Sequence, residues 1–80
     1  MDKLSAAINK HPNYFIGVPR VKEMFSVLSS GPKTLAELIN YGFSRSGAER
    51  ALRAFERAGL VKVTSHMDHN VVYHTYEIKR

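Results

Sequence analysis

The sequence predicts an α+β domain: a three-helix core, a short added helix before it, and a C-terminal antiparallel β-hairpin. Apolar residues recur at helical spacing as far as residue 58 and alternate from residue 61 onward, and Gly or Pro stands at nearly every change of pattern. Eighty residues make one small domain, which buries only about 60% of the surface its unfolded chain exposes. An enzyme pocket of ordinary size would consume much of such a core. Cysteine is absent, so neither a disulfide framework nor a thiolate zinc site can staple the fold. Packing must hold it, aided at most by self-association.

Residues 2–10, "DKLSAAINK", read as a short helix with Asp2 as N-cap and Leu4, Ala7 and Ile8 on one edge. Two turns of helix are not stable alone, so this segment must dock. "HPNYFIGVP" follows, an irregular stretch bounded by Pro12 and Pro19 that gathers Tyr14, Phe15, Ile16 and Val18. In "RVKEMFSVLSSG", Val21, Met24, Phe25 and Leu28 mark an amphipathic helix, stopped by Gly31 and Pro32. "TLAELINYG" opens with a capping box, Thr34 and Glu37, presents Leu35, Leu38 and Ile39, and closes at Gly42. The next helix is capped by Ser44 or by Ser46, which has its own S-x-x-E spacing to Glu49, and ends at Gly59. "LVKVT" and "VVYHTYEIKR" alternate as strands around a polar connector, "SHMDHN", with Val72, His74, Tyr76 and Ile78 on one face.

At roughly 100° per residue, Ala48, Ala51, Leu52, Phe55 and Ala58 gather on one side of the fourth helix. Ser46, Arg50, Arg53 and Arg57 fall within an arc of roughly 60° on the other side. One reading is a solvated face whose arginines pair with Glu49 and Glu56. Glu49 to Arg53 is a favourable i, i+4 pair worth about 0.2–0.5 kcal/mol, but it leaves Arg50 and Arg57 without acidic partners in phase. The other is a recognition helix, because the arginine fork matches guanine O6 and N7 or a phosphate. The two-turn helix before it, with Gly42 permitting a tight turn and Phe43 able to plug it, makes a helix-turn-helix.

On these residues the chain resembles the winged helix-turn-helix DNA-binding domains of the MarR-like and ArsR-like bacterial and archaeal transcription regulators. They share an apolar helix, "G-P-x-T-L-x-E-L", a turn, "S-R-S-x-x-x-R-A-L-R", then "G-L-V" leading into a hairpin wing. The match spans residues 21–63, and the hairpin to 79 in outline. The resemblance implies that Ser44, Arg45, Ser46, Glu49, Arg50 and Arg53 face the DNA groove, joined on the same helix by Arg57. Lys33 and Thr34 lie where the preceding helix meets a phosphate. Lys62, His66, His69 and Asn70, in and beside the wing, complete the candidate contacts with backbone or minor groove. The wing departs from the pattern: His66, Asp68, His69 and Asn70 stand where firm DNA binders often carry Arg or Lys. Gly47, costly inside a helix by about 1 kcal/mol, either admits the DNA backbone or marks a frayed start.

A net charge of +5 and a pI near 9.8 suit nucleic acid or an anionic surface. No apolar run can span a bilayer, and residues 1–15 lack the continuous apolar core of a signal peptide, so a soluble cytoplasmic domain is expected. His66, His69, His74 and Asp68 could be imagined as a metal site, but they lack zinc-site spacing, and His74 is in phase with inward-facing Val72 and Tyr76. No metal or cofactor is expected. No G-x-S-x-G, G-x-x-x-x-G-K or H-E-x-x-H occurs, so an enzyme, with a small-molecule substrate, is not expected either. Two spans result: an extension, 1–19, and the DNA-binding domain, 20–80. The extension's apolar residues either cap the small core or form a homodimer interface on double-stranded DNA. The competing function is a winged helix used for protein docking in a larger assembly.

Overall fold

The computed structural model describes residues 2–79; Met1 and Arg80, the outer limits of the two expected spans, lie outside them. Four α-helices and a three-stranded antiparallel sheet give an α+β fold, compatible with the winged arrangement expected. The helices are α1 (Lys3–Lys10), α2 (Val21–Ser29), α3 (Leu35–Asn40) and α4 (Arg45–Arg57), and the strands are β1 (Lys33–Thr34), β2 (Val61–Asp68) and β3 (Val71–Ile78). A 3₁₀ turn, Pro12–Phe15, sits inside the segment between α1 and α2.

Helix ends follow from the side chains at hand. Asp2 caps α1, accepting from the Ser5 N–H at 2.7 Å, and this hydrogen bond holds its carboxyl below the ordinary aspartate pKa. Thr34 caps α3 in a complete capping box: its hydroxyl accepts from the Glu37 N–H at 3.2 Å, while the Thr34 N–H donates to Glu37 Oε1 at 3.0 Å. α4 is capped by Ser44, whose hydroxyl accepts from the Gly47 N–H at 3.0 Å. Of the two serines, Ser44 has the extended backbone that a cap needs, and Ser46 is already helical.

β1 was not expected as a strand. Its two residues pair with β3, Lys33 opposite Tyr76 and Thr34 opposite Thr75, which makes β3 the central strand in the order β1-β3-β2. The connector expected as a six-residue loop is also mostly strand. β2 runs to Asp68, which pairs with Val71, leaving only His69 and Asn70 in the turn. Both have positive φ, 50° and 65°, the left-handed pair that a two-residue hairpin of matching twist requires.

Antiparallel pairing places opposed residues on one face of the sheet. Val61, Val63, Ser65 and Met67 therefore share a face with Ile78, Tyr76, His74 and Val72, and Lys62, Thr64, His66 and Asp68 share the opposite one. Only the base of the first face is core, where Val61 and Ile78 are buried. β1 reaches no further than Thr75, so the outer half of the hairpin is two-stranded. There Val72 and His74, expected to look inward, are exposed.

One cluster joins Leu4 and Ala7 of α1 to Met24, Leu28, Leu38, Phe43, Ala48, Leu52, Phe55, Leu60, Val61 and Ile78. Phe55 lies at its centre, fully buried, with the Phe25 ring edge-on at 6.0 Å and the Phe15 ring tilted at 6.2 Å. Ile8, Phe15 and Val18 pack on the same cluster, so most of the apolar residues of the 1–19 span cap the core. Ile16 remains 75% exposed.

Phe55→Ala should cost about 3–5 kcal/mol, a large part of the 5–15 kcal/mol that holds a typical domain together. A urea titration followed by circular dichroism checks this; a midpoint close to wild-type would show that the ring is not central.

Candidate nucleic-acid interface

The placement of α4 begins at the turn before it. Phe43 is buried, as its plugging role requires, and Gly42 takes φ 107° to turn the chain. Arg20, the residue just before α2 and one to which the sequence assigned no role, braces this turn. Its Nη1 donates to the Gly42 carbonyl at 2.8 Å, its guanidinium lies 4.2 Å from the centre of the Phe43 ring, and its Nη2 pairs with Glu23 Oε2 at 2.7 Å. Arg20 itself sits at φ 53°, a left-handed conformation that costs a side-chain-bearing residue about 1–2 kcal/mol. Those three contacts offset that strain. The i, i+3 spacing to Glu23 was readable, but the contact to a turn 22 residues away was not.

Arg50, Arg53 and Arg57 stand exposed on the side of α4 opposite Ala48, Ala51 and Phe55. None of the three has a hydrogen bond or ion pair among the described residues. The expected Glu49–Arg53 pair does not form. Glu49 instead reaches back to Arg45, Oε1 to Nε at 3.4 Å. Ser46 is exposed beside the arginines, and Ser44 spends its acceptor on the cap.

Two recesses flank this ridge. One, about 510 Å³, lies between α4 and the hairpin and is lined by Glu49, Arg53, Glu56, Val63, His74 and Tyr76 among others. Burial, then the charges of Glu56 and Glu49, raise the Tyr76 phenol above its ordinary pKa. The other, about 380 Å³, lies between α4 and the segment before α2, with Asn13, Tyr14, Ile16, Arg50, Arg53 and Arg57 in its walls. That segment also buries Ala54, which the wheel had not counted as core. Nothing in the sequence alone could place Asn13–Val18 beside the arginines.

The remaining candidates are dispersed. Lys33 is half-buried, and its ammonium turns back to the end of α2, donating to the Gly31 carbonyl at 3.2 Å and to Ser30 Oγ at 3.3 Å. Lys62 pairs across the strands with Glu77 at 3.3 Å. Lys62 and His66 occupy the sheet face opposite that of Val63, His74 and Tyr76, which meet α4. His69 and Asn70 form the hairpin tip, with His69 Nε2 3.5 Å from Asp68. His74 Nδ1 lies 3.1 Å from Ser65 Oγ, on the face away from His66, so the imagined three-histidine site does not assemble. Among the described residues no three His, Cys, Asp or Glu side chains gather in a metal-holding group.

Gly47 is explained internally. A Cβ there would lie 2.8 Å from Ser44 Oγ and 3.3 Å from Pro19 Cγ. It is needed by the cap and by the chain crossing α4, so neither DNA approach nor fraying is required. The chain matches no family model, no curated protein and no solved structure.

Gly47→Ala at an open helical site would add about 1 kcal/mol, but disturbing the Ser44 cap loses a similar amount. Thermal unfolding should therefore show no gain; a stabilised variant would mean that the cap and Pro19 yield freely. A second expectation concerns pH. The hydrogen bond and charge of Arg20 hold the Glu23 carboxyl below the ordinary glutamate pKa. The stability this contributes is complete above the ordinary value and is lost as pH falls through the lowered one. Glu23→Gln should remove that acid-side loss, read as unfolding midpoint against pH; an unchanged acid limb would count against the brace.

Proposed function

We propose that the protein is a sequence-selective, double-stranded-DNA-binding transcription regulator built as a winged helix-turn-helix, with α4 in the major groove and the hairpin as its wing. The observation that carries this reading is the exposed ridge of Arg50, Arg53 and Arg57, none of them paired among the described residues. Three guanidinium groups on one helix face repel one another, and a polyanion relieves that repulsion while accepting their donors. Ser46 and Arg53 occupy the crest and suit base edges. The protein acts in the cytoplasm as a homodimer reading two half-sites; among the described residues no helix is long and apolar enough to cross a membrane. Most of the N-terminal apolar residues serve the core, so the homodimer surface draws little on the 1–19 span.

One observation favours a second reading, a winged helix that docks another protein. The outer hairpin exposes Met67 (73%), Val72 (53%), Val71 (48%) and Tyr73 (46%) and carries little positive charge. A partner contacting that surface would leave the arginine ridge secondary.

Selection of bound sequences from a random duplex pool separates the two. The expected result is an enriched site of two inverted half-sites about one helical turn apart, with affinity falling steeply as salt rises. Arg53→Ala should remove about 1–3 kcal/mol of discrimination at one base pair of each half-site. Failure of the chain to hold any duplex at low salt would leave the docking reading.

A further inference from the structure

We infer that the recess between α4 and residues 13–18 is a phosphate channel that grips one strand of duplex DNA at the edge of the major groove. This rests on the DNA-binding reading and divides the labour along the ridge. All three arginines border this recess, but Arg53 alone also borders the one on the hairpin side. Arg50 and Arg57 therefore neutralise phosphates, and Arg53, between the two recesses, is left to the bases.

The argument is one of width. A helix with its side chains is about 10–12 Å across, and the major groove of B-DNA is about 12 Å wide. α4 alone fills it. The bank formed by Asn13, Tyr14 and Ile16 lies directly beside α4, with Ile16 75% exposed. It cannot follow the helix into the groove, so it meets the wall, which is sugar and phosphate.

The chemistry of the channel agrees. Arg50 and Arg57 are two helical turns apart, roughly 10 Å along the axis, so they reach separate phosphates. The carboxylates of Glu49 and Glu56 line the other recess, not this one. On the facing bank the Asn13 side chain has no hydrogen bond among the described residues and can donate its amide N–H. Tyr14 is held in place by stacking on His11, ring centres 4.7 Å apart and planes 12° from parallel, with its hydroxyl free to donate. Neutral donors opposite paired cations are the groups that position a backbone without reading sequence.

The test is fluorescence anisotropy of the full chain with a selected duplex and scrambled duplexes, over a salt series. Arg50→Ala and Arg57→Gln should weaken all duplexes about equally and make the salt dependence shallower by about one unit each. Asn13→Ala should weaken binding a few-fold and Asn13→Asp, which brings a negative charge against the strand, by roughly 10-fold or more. Circular dichroism melting confirms folding; Arg57→Gln keeps most of the side chain while removing its charge, should an Asn13 variant be unstable. If both Asn13 variants bind like wild-type, or if Arg50→Ala loses its preference for the selected site rather than overall affinity, the channel is wrong while DNA binding stands. If wild-type binds no duplex at low salt, both proposals fall together.

Discussion

The burial of Phe55 is the constraint on which the rest of the molecule depends. Its ring is met by Phe25 from α2 and by Phe15 from the segment before α2, and its carbonyl accepts from the Leu60 N–H at 2.9 Å where the chain leaves for β2. One residue thus ties the N-terminal segment and α2 through its ring, and α4 to the root of the hairpin through its backbone. With that ring fixed inward, helical geometry sends Arg50, Arg53 and Arg57 outward. The same contact also draws Phe15 onto the core and so lays Asn13–Val18 along one flank of the arginines.

Charge is distributed by that packing rather than spread evenly. Lys3 donates to the Lys79 carbonyl at 2.9 Å, Arg20 braces the Gly42 turn, Lys33 turns back to the end of α2, Arg45 meets Glu49, and Lys62 meets Glu77. These cations hold the fold or its surface pairs. The exposed pairs of Arg20 with Glu23, Arg45 with Glu49 and Lys62 with Glu77 contribute little stability each, but they offset charge that a partner could otherwise use. Of the exposed cations whose side chains have no partner among the described residues, Arg50, Arg53 and Arg57 share one face of α4, while Lys10, Lys22 and Lys79 lie apart from it.

The hairpin shows where alternation alone misleads. Tyr76 and Ile78 do face inward as their phase suggests, yet Val72 and His74, in the same phase, lie in solvent. Phase tells which residues share a face; it does not tell how far along the hairpin that face is covered. Coverage depends on α4 and on β1, which ends its pairing at Thr75. The turn was hidden for a related reason. "SHMDHN" is polar throughout apart from Met67, and polarity does not separate an exposed two-stranded ladder from a loop.

The sequence by itself determined the order of helices and hairpin, the capping box at Thr34, the buried face of α4 and the alignment of its arginines. These are local properties, set by periodicity and by hydrogen bonds between residues three or four apart. Tertiary structure alone decided that Gly47 makes room for Pro19, that Arg20 holds the turn at Gly42, and that Asn13 stands beside Arg50. Each of those depends on which distant segment Phe55, Phe43 and the sheet bring into contact, and the distance between segments in space is not written in their spacing along the chain.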